Sequence, residues 1–239
     1  PTVSGNYLLK VFADYDQNDL ILTKRFMIND ERINIIPDYH RATIIEESNF
    51  KQEIDFTLQT TGLVITNPFQ DIKVVLMQND RWDNAIGNIK PLFVKDNELV
   101  YDHDRDNVFA GGNEFRNFDI KSLRWNSERV KNITSDSSKN YHVHLFPDKK
   151  RSYLRYMTDR DINGQYKITR QESSRNGSDI EAEYVYVHFT LPMEEALREG
   201  SLYVFGELSN WKYGNSNKMT YNKTLKQYEA TMYLSLIHI

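Results

Sequence analysis

The chain has 239 residues, 34 acidic against 30 basic side chains, a net charge of −4 and no cysteine. That charge balance argues against nucleic acid as the main partner, which needs a basic stripe. The lack of cysteine excludes disulfides, thiolate metal sites and cysteine nucleophiles. Hydrophobic residues at 39% and charged residues at 27% are the proportions of a folded rather than a disordered chain. No apolar run approaches the ~20 residues needed to span a bilayer. The 15 Tyr and 12 Phe favour pleated, half-buried surfaces and so point to β structure.

Alternation with period two recurs along the chain and predicts strands. Tyr7, Leu9 and Val11 share one face of a first strand, Asn18-Asp19 is turn material, and Leu20 to Ile28 is a second strand. Pro37 to Ser48 reads as a looped or edge segment. In Gln52 to Thr60, Ile54, Phe56 and Leu58 face one way and Glu53, Asp55 and Thr57 the other. Ile72 to Met77 is more continuously apolar and is expected to be central. Further strands are expected over 141–146, 166–169, 184–191, 202–205 and 227–234. Met193 to Arg198, between Pro192 and Gly200, is the helix candidate.

These elements predict an all-β chain of tandem β-sandwich domains with truncated N- and C-terminal members; the turn from Val204 to Trp211 adds a resemblance to immunoglobulin-like, early-set domains. Ser173 to Asp179 is the best linker. The expected division is residues 1–30 as the end of one β domain, 31–175 as a middle sandwich, and 176–239 as the start of an early-set domain.

Metal and catalytic signals are weak. Asp159-Arg160-Asp161-Ile162-Asn163-Gly164 matches the first half of a calcium loop, but Arg170 stands where the bidentate glutamate is required. Asp102 to Asp106 reads as a solvated charged loop. His142 and His144 share one face of a strand and have the spacing of two zinc ligands, without an identifiable third. No nucleophile elbow, HExxH motif or phosphate-cradling glycine loop occurs. The residues therefore single out no catalytic site, no metal and no cofactor.

Two segments are unusual. Gln78-Asn79-Asp80-Arg81-Trp82-Asp83-Asn84 and Gly111-Gly112-Asn113-Glu114-Phe115-Arg116-Asn117-Phe118-Asp119 pack amides, carboxylates, an arginine and aromatic rings into short stretches. They are too polar for core and too aromatic for an idle linker. Gln78, Asn79, Arg81, Trp82, Asp83, Asn113, Glu114, Arg116 and Asp119 are expected to be structural locks or an interaction surface. Arg81 is expected to pair beside Asp80 and Asp83, and Arg116 beside Glu114 and Asp119. Val204-Phe205-Gly206 leading to Asn210-Trp211 resembles the turn of early-set immunoglobulin-like domains, which include glycogen- and starch-binding modules. Trp211 is thus a candidate glycan contact, with packing as the competing role.

Taken in order, Ser4 to Val11, Thr23 to Ile28, Gln78 to Ala85, Gly112 to Asp119, Asp161 to Gly164 and the Trp211 turn resemble one family. It is the type IX secretion system plug proteins of Bacteroidota, formerly a domain of unknown function. The resemblance implies a periplasmic, non-enzymatic protein. Its partner would be the outer-membrane translocon barrel, whose periplasmic mouth it would seal without spanning the membrane. It also implies a fragment: members carry a signal peptide and further strands before the Ser4 segment, and continue beyond the Trp211 region. After Leu234 the family pattern is lost, and Ser235 to Ile239 is expected to be a non-native tail. The alternative function is an α-glucan-binding module.

Overall fold

The computed structural model describes residues 2–151, 161–171 and 182–238. Contacts divide the chain into two compact units: residues 1–77 with 85–111, and residues 78–84 with 112–239. The protein is all-β, built of several open, mostly antiparallel sheets, as the composition and alternation predict. The linker candidate at 173–179 lies outside the described residues.

In the first unit, β1 (Gly5–Phe12) and β2 (Leu20–Ile28) form an antiparallel hairpin. Next come β3 (Asn34–Arg41), β4 (Lys51–Gln59), the one-turn α1 (Pro68–Asp71), β5 (Val74–Leu76) and β6 (Ile86–Ile89). The unit closes with β7 (Phe93–Lys95), β8 (Glu98–Tyr101) and β9 (Val108–Ala110). One sheet has the order β3-β4-β8-β7, with β9 also pairing β4, and β5 pairs β6 separately. Pro37 sits on the edge strand β3, where a missing backbone donor is tolerated.

The alternation in β4 buries Phe56 and Leu58 with Leu99, Tyr101 and Ile89, and β5 and β6 pack Val74, Leu76 and Ile86 against that cluster. Phe56 and Tyr101 stack with centroids 4.5 Å apart. Glu53 departs from expectation. It belongs to the polar face of β4 yet is only 1% exposed, because the turn after β3 folds over it. The Thr43 N–H and hydroxyl donate to its carboxylate at 2.6 and 3.1 Å.

The second unit contains β10 (Val130–Ser135), β11 (Tyr141–Leu145), β12 (Lys167–Ile168), β13 (Tyr184–Pro192), β14 (Thr220–Asn222), β15 (Gln227–Ser235) and β16 (Ile237–His238). Its main sheet has the order β10-β11-β13-β15-β14, with β11 and β13 parallel and the other pairs antiparallel. Alternate residues Val185, Val187 and Phe189 on β13, and Tyr228, Ala230, Met232 and Leu234 on β15, face one buried side. Each fully buried large apolar side chain there contributes about 1.5–3 kcal/mol.

Phe118, Ile120, Leu202, Val204 and Met219 cover that face. Leu202 to Phe205, expected as a strand, makes only the isolated bridge Tyr203–Lys218, because this covering layer is mostly irregular chain. Met193 to Arg198 is not helical. Its Pro and Gly signals flank a segment with no buried apolar stripe, and it forms bends instead. Leu236 and Ile237, within the segment expected to be non-native, are buried here, and β16 pairs β12.

Candidate functional site

Four separate motif segments meet in the second unit. Asn79 and Asp80 take left-handed backbone conformations (φ 56° and 58°), which both residue types tolerate, and so turn the chain tightly. The Arg81 N–H donates to the Gln78 carbonyl at 3.1 Å, and Asn84 Nδ2 donates to Gln78 Oε1 at 3.0 Å, closing the loop on itself. That turn aims Arg81 inward. Its Nε and Nη2 donate to the two oxygens of Asp83 at 3.0 and 2.7 Å, a bidentate pair. The Arg81 guanidinium beside Asp83 holds that carboxyl below the usual carboxylate range.

The same guanidinium lies over the Trp211 ring, 4.6 Å from its centroid, and 5.5 Å from the Phe205 centroid. Trp211 meets Phe115 and Phe205 edge-on at 5.6 and 5.5 Å, and Phe205 stacks on Tyr213 at 4.7 Å. Edge-on pairs and a cation on a ring face are each worth about 0.5–1.5 kcal/mol beyond area burial.

Asp161 and Gly164 complete the arrangement. Asp161 Oδ2 accepts the Phe115 N–H at 2.5 Å and its Oδ1 accepts the Asn163 N–H at 3.1 Å. This carboxylate is therefore spent on backbone donors in an Asx turn rather than presented to calcium; Asp159 and Arg160 lie outside the described residues. Gly164 has φ +73°, and a Cβ built on it would come within 2.7 Å of both Phe115 and Trp211. Only glycine fits between those rings. Its carbonyl accepts the Glu207 N–H at 2.9 Å, and Glu207 Oε2 accepts the Tyr166 N–H at 3.1 Å.

The other predicted residues fall around this cluster. Arg116 does not pair with Glu114 or Asp119. Its Nη1 lies 3.2 Å from Asp148 Oδ2 and its Nη2 donates to the Lys149 carbonyl at 2.8 Å. Asp119 instead pairs with Lys121 at 2.6 Å and accepts the Lys121 N–H at 3.0 Å. The Glu114 carbonyl accepts from Arg151 Nη1 at 3.2 Å. Trp82 and Asn113 are exposed. Glu114 to Phe118 also wall a cavity of about 390 Å³ with an apolar floor that includes Phe189, Leu202 and Met219.

His142 and His144 stand on the outer face of β11, opposite buried Val143, as expected. The parallel register brings His188 of β13 beside His144, and these two rings stack 4.3 Å apart at 8°. His142 Nδ1 lies 3.0 Å from His188 Nε2. Stacked parallel rings do not aim three nitrogens at one point, so this is a ring ladder rather than a zinc ligand set. Burial, with His144 and His142 beside it, lowers His188 to a pKa of about 4.

His40 of the first unit moves the other way, to about 9, through its hydrogen bonds to Asp55 and the Arg41 carbonyl. A depressed histidine contributes stability above its unfolded value of 6.5 that is lost as pH falls toward about 4. A raised one contributes stability below 6.5 that is lost as pH rises through about 9. The expected result is opposite pH dependence in the two units. NMR titration of the imidazole Cε1 protons checks it: His40 should titrate well above His188, and coincident midpoints near the ordinary value contradict it.

Among known proteins, residues 1–30 match the family model of the type 9 secretion system plug protein 1st domain. The match supports the type IX secretion plug family. It covers the β1–β2 hairpin and none of the clustered motif residues. A crystal structure of a hypothetical protein from Parabacteroides merdae ATCC 43184 is similar over 99% of the chain, at 32% identity and a TM-score of 0.88. The chain spans 58% of that protein's length. No curated protein matches. No helix among the described residues is long and apolar enough to cross a membrane.

Sequence reasoning names Arg81, Asp83 and Trp211 but not their assembly. It also leaves Asp161, Gly164 and Glu207 out of the site. The left-handed Asn163-Gly164 turn is the available signal for Gly164, since a paired Asn-Gly marks positive φ.

Proposed function

We propose that the chain belongs to a non-enzymatic accessory component of the type IX secretion system, one that plugs the periplasmic side of the outer-membrane translocon barrel by steric occlusion. The plug-domain match at residues 1–30 carries this reading. The chemistry of the motif cluster supports it. Arg81, Asp83, Asp161 and Glu207 are engaged with one another or with backbone N–H groups. Such engagement stiffens loops and leaves no base poised beside a nucleophile. Sealing a pore needs a rigid body matched to a rim and no proton transfer.

Binding of α-glucan at Trp211 is the weaker reading. A sugar stacks on an open ring face, and the Arg81 guanidinium covers one face of Trp211 while Phe115 and Gly164 crowd its edge. Affinity purification of the tagged full-length protein from envelope extracts tests the proposal. The translocon barrel should co-purify, and recovery without the barrel under conditions that preserve its other partners would count against it.

A further inference from the structure

We propose that His40, Glu53 and Asp55 form a binding site for one divalent transition-metal ion, with zinc the best-fitting ion. The site lies in the first unit, shares no residue with the motif cluster and does not depend on the plug reading. Antiparallel pairing of β3 and β4 sets His40 opposite Glu53, and the three side chains each place one ligand atom within 4.8 Å of the others. His40 Nε2 lies 2.7 Å from Asp55 Oδ2 and 4.0 Å from Glu53 Oε1. Tetrahedral zinc, with bonds of about 2.0–2.2 Å, separates its ligand atoms by about 3.4 Å, between those two distances.

Each ligand is already oriented by a second group, as metal ligands are. His40 Nδ1 lies 2.8 Å from the Arg41 carbonyl, which takes that N–H and leaves Nε2 facing the carboxylates. The buried Asn107 Nδ2 donates to Asp55 Oδ1 at 2.8 Å. Thr43 holds both oxygens of Glu53.

Charge also favours an ion. Two carboxylates, one of them only 1% exposed, share a single imidazolium, leaving an excess negative charge where solvation is poor. A divalent ion with a neutral imidazole balances both. The His40 side chain is 35% exposed, so a water can reach the fourth position. In the metal-free protein the Nε2 proton occupies the lone pair the ion would take, so binding releases that proton to solvent.

Cobalt(II) titration of the 239-residue chain at mildly alkaline pH, followed by absorption spectroscopy and paired with calorimetric zinc titration in two buffers of different ionisation enthalpy, tests the site. The expected result is one ion per chain, the intense visible bands of four-coordinate cobalt, displacement by zinc and release of about one proton. His40→Gln retains a hydrogen-bonding group at a part-exposed position. It should keep the wild-type circular dichroism spectrum while losing the cobalt bands and at least about 100-fold in zinc affinity. Asp55→Asn should do the same. Wild-type protein without cobalt bands, or zinc binding that survives both substitutions, would overturn the proposal.

Discussion

Replacing Gly164 with alanine is expected to destabilise the second unit by about 3 kcal/mol, the sum of two separable effects. An L-residue at φ +73° costs about 1–2 kcal/mol. Forcing a methyl group to within 2.7 Å of the Phe115 and Trp211 rings adds an overpacking cost of about 1–3 kcal/mol. Gly200 supplies the control. It has φ +83° in the same unit, and a Cβ there would meet nothing within 4 Å, so Gly200→Ala carries only the backbone cost. Urea unfolding of both variants reads the difference from their midpoints. Gly164→Ala should be the more destabilised by about 2 kcal/mol, and equal losses would show that the rings do not close on Gly164.

In the first unit, Asn107→Ala is expected to cost about 3 kcal/mol. Asn107 is fully buried, and its Nδ2 donates at 2.7 Å to the Ile54 carbonyl and at 2.8 Å to Asp55 Oδ1. Truncation leaves a buried carbonyl unsatisfied, at about 1–3 kcal/mol, and removes a bond to a carboxylate worth about 1.5–3 kcal/mol. Among the described residues the Asn107 Oδ1 finds no hydrogen-bond partner, and losing it offsets part of that cost. Urea unfolding followed by a probe in the first unit should report the loss, with no change in slope. A loss under about 1 kcal/mol would mean that Asn107 does not tie β9 to β4.

How much of this is legible in the sequence depends on the range of the interactions involved. Strand β2 is expected at its observed bounds, and β4, β11, β13 and β15 within a residue or so, because burial on one face writes period two into the chain. The 202–205 segment carries the same apolar character yet forms cover rather than ladder, a distinction made by partner strands far away in sequence. Glu53 follows the alternation and is still buried, because a neighbouring turn, rather than the pleat, decides what covers a sheet's polar face.

At the site, the short-range pair Arg81–Asp83 is visible, since the two residues are separated by one position. The convergence of Arg81, Phe115, Gly164 and Trp211 is not, because it closes loops of many tens of residues. Arg116 shows the converse error. Its sequence neighbours Glu114 and Asp119 offer charge, but Asp148 lies nearer in the fold.

Steric occlusion is tested most directly by the conductance of the translocon barrel in planar bilayers, with and without the full-length protein on the periplasmic side. The expected result is an open, conducting barrel alone that closes when the protein is added, with no enzymatic turnover required. A barrel that is equally sealed in its absence, and that does not bind it, would contradict the plug role.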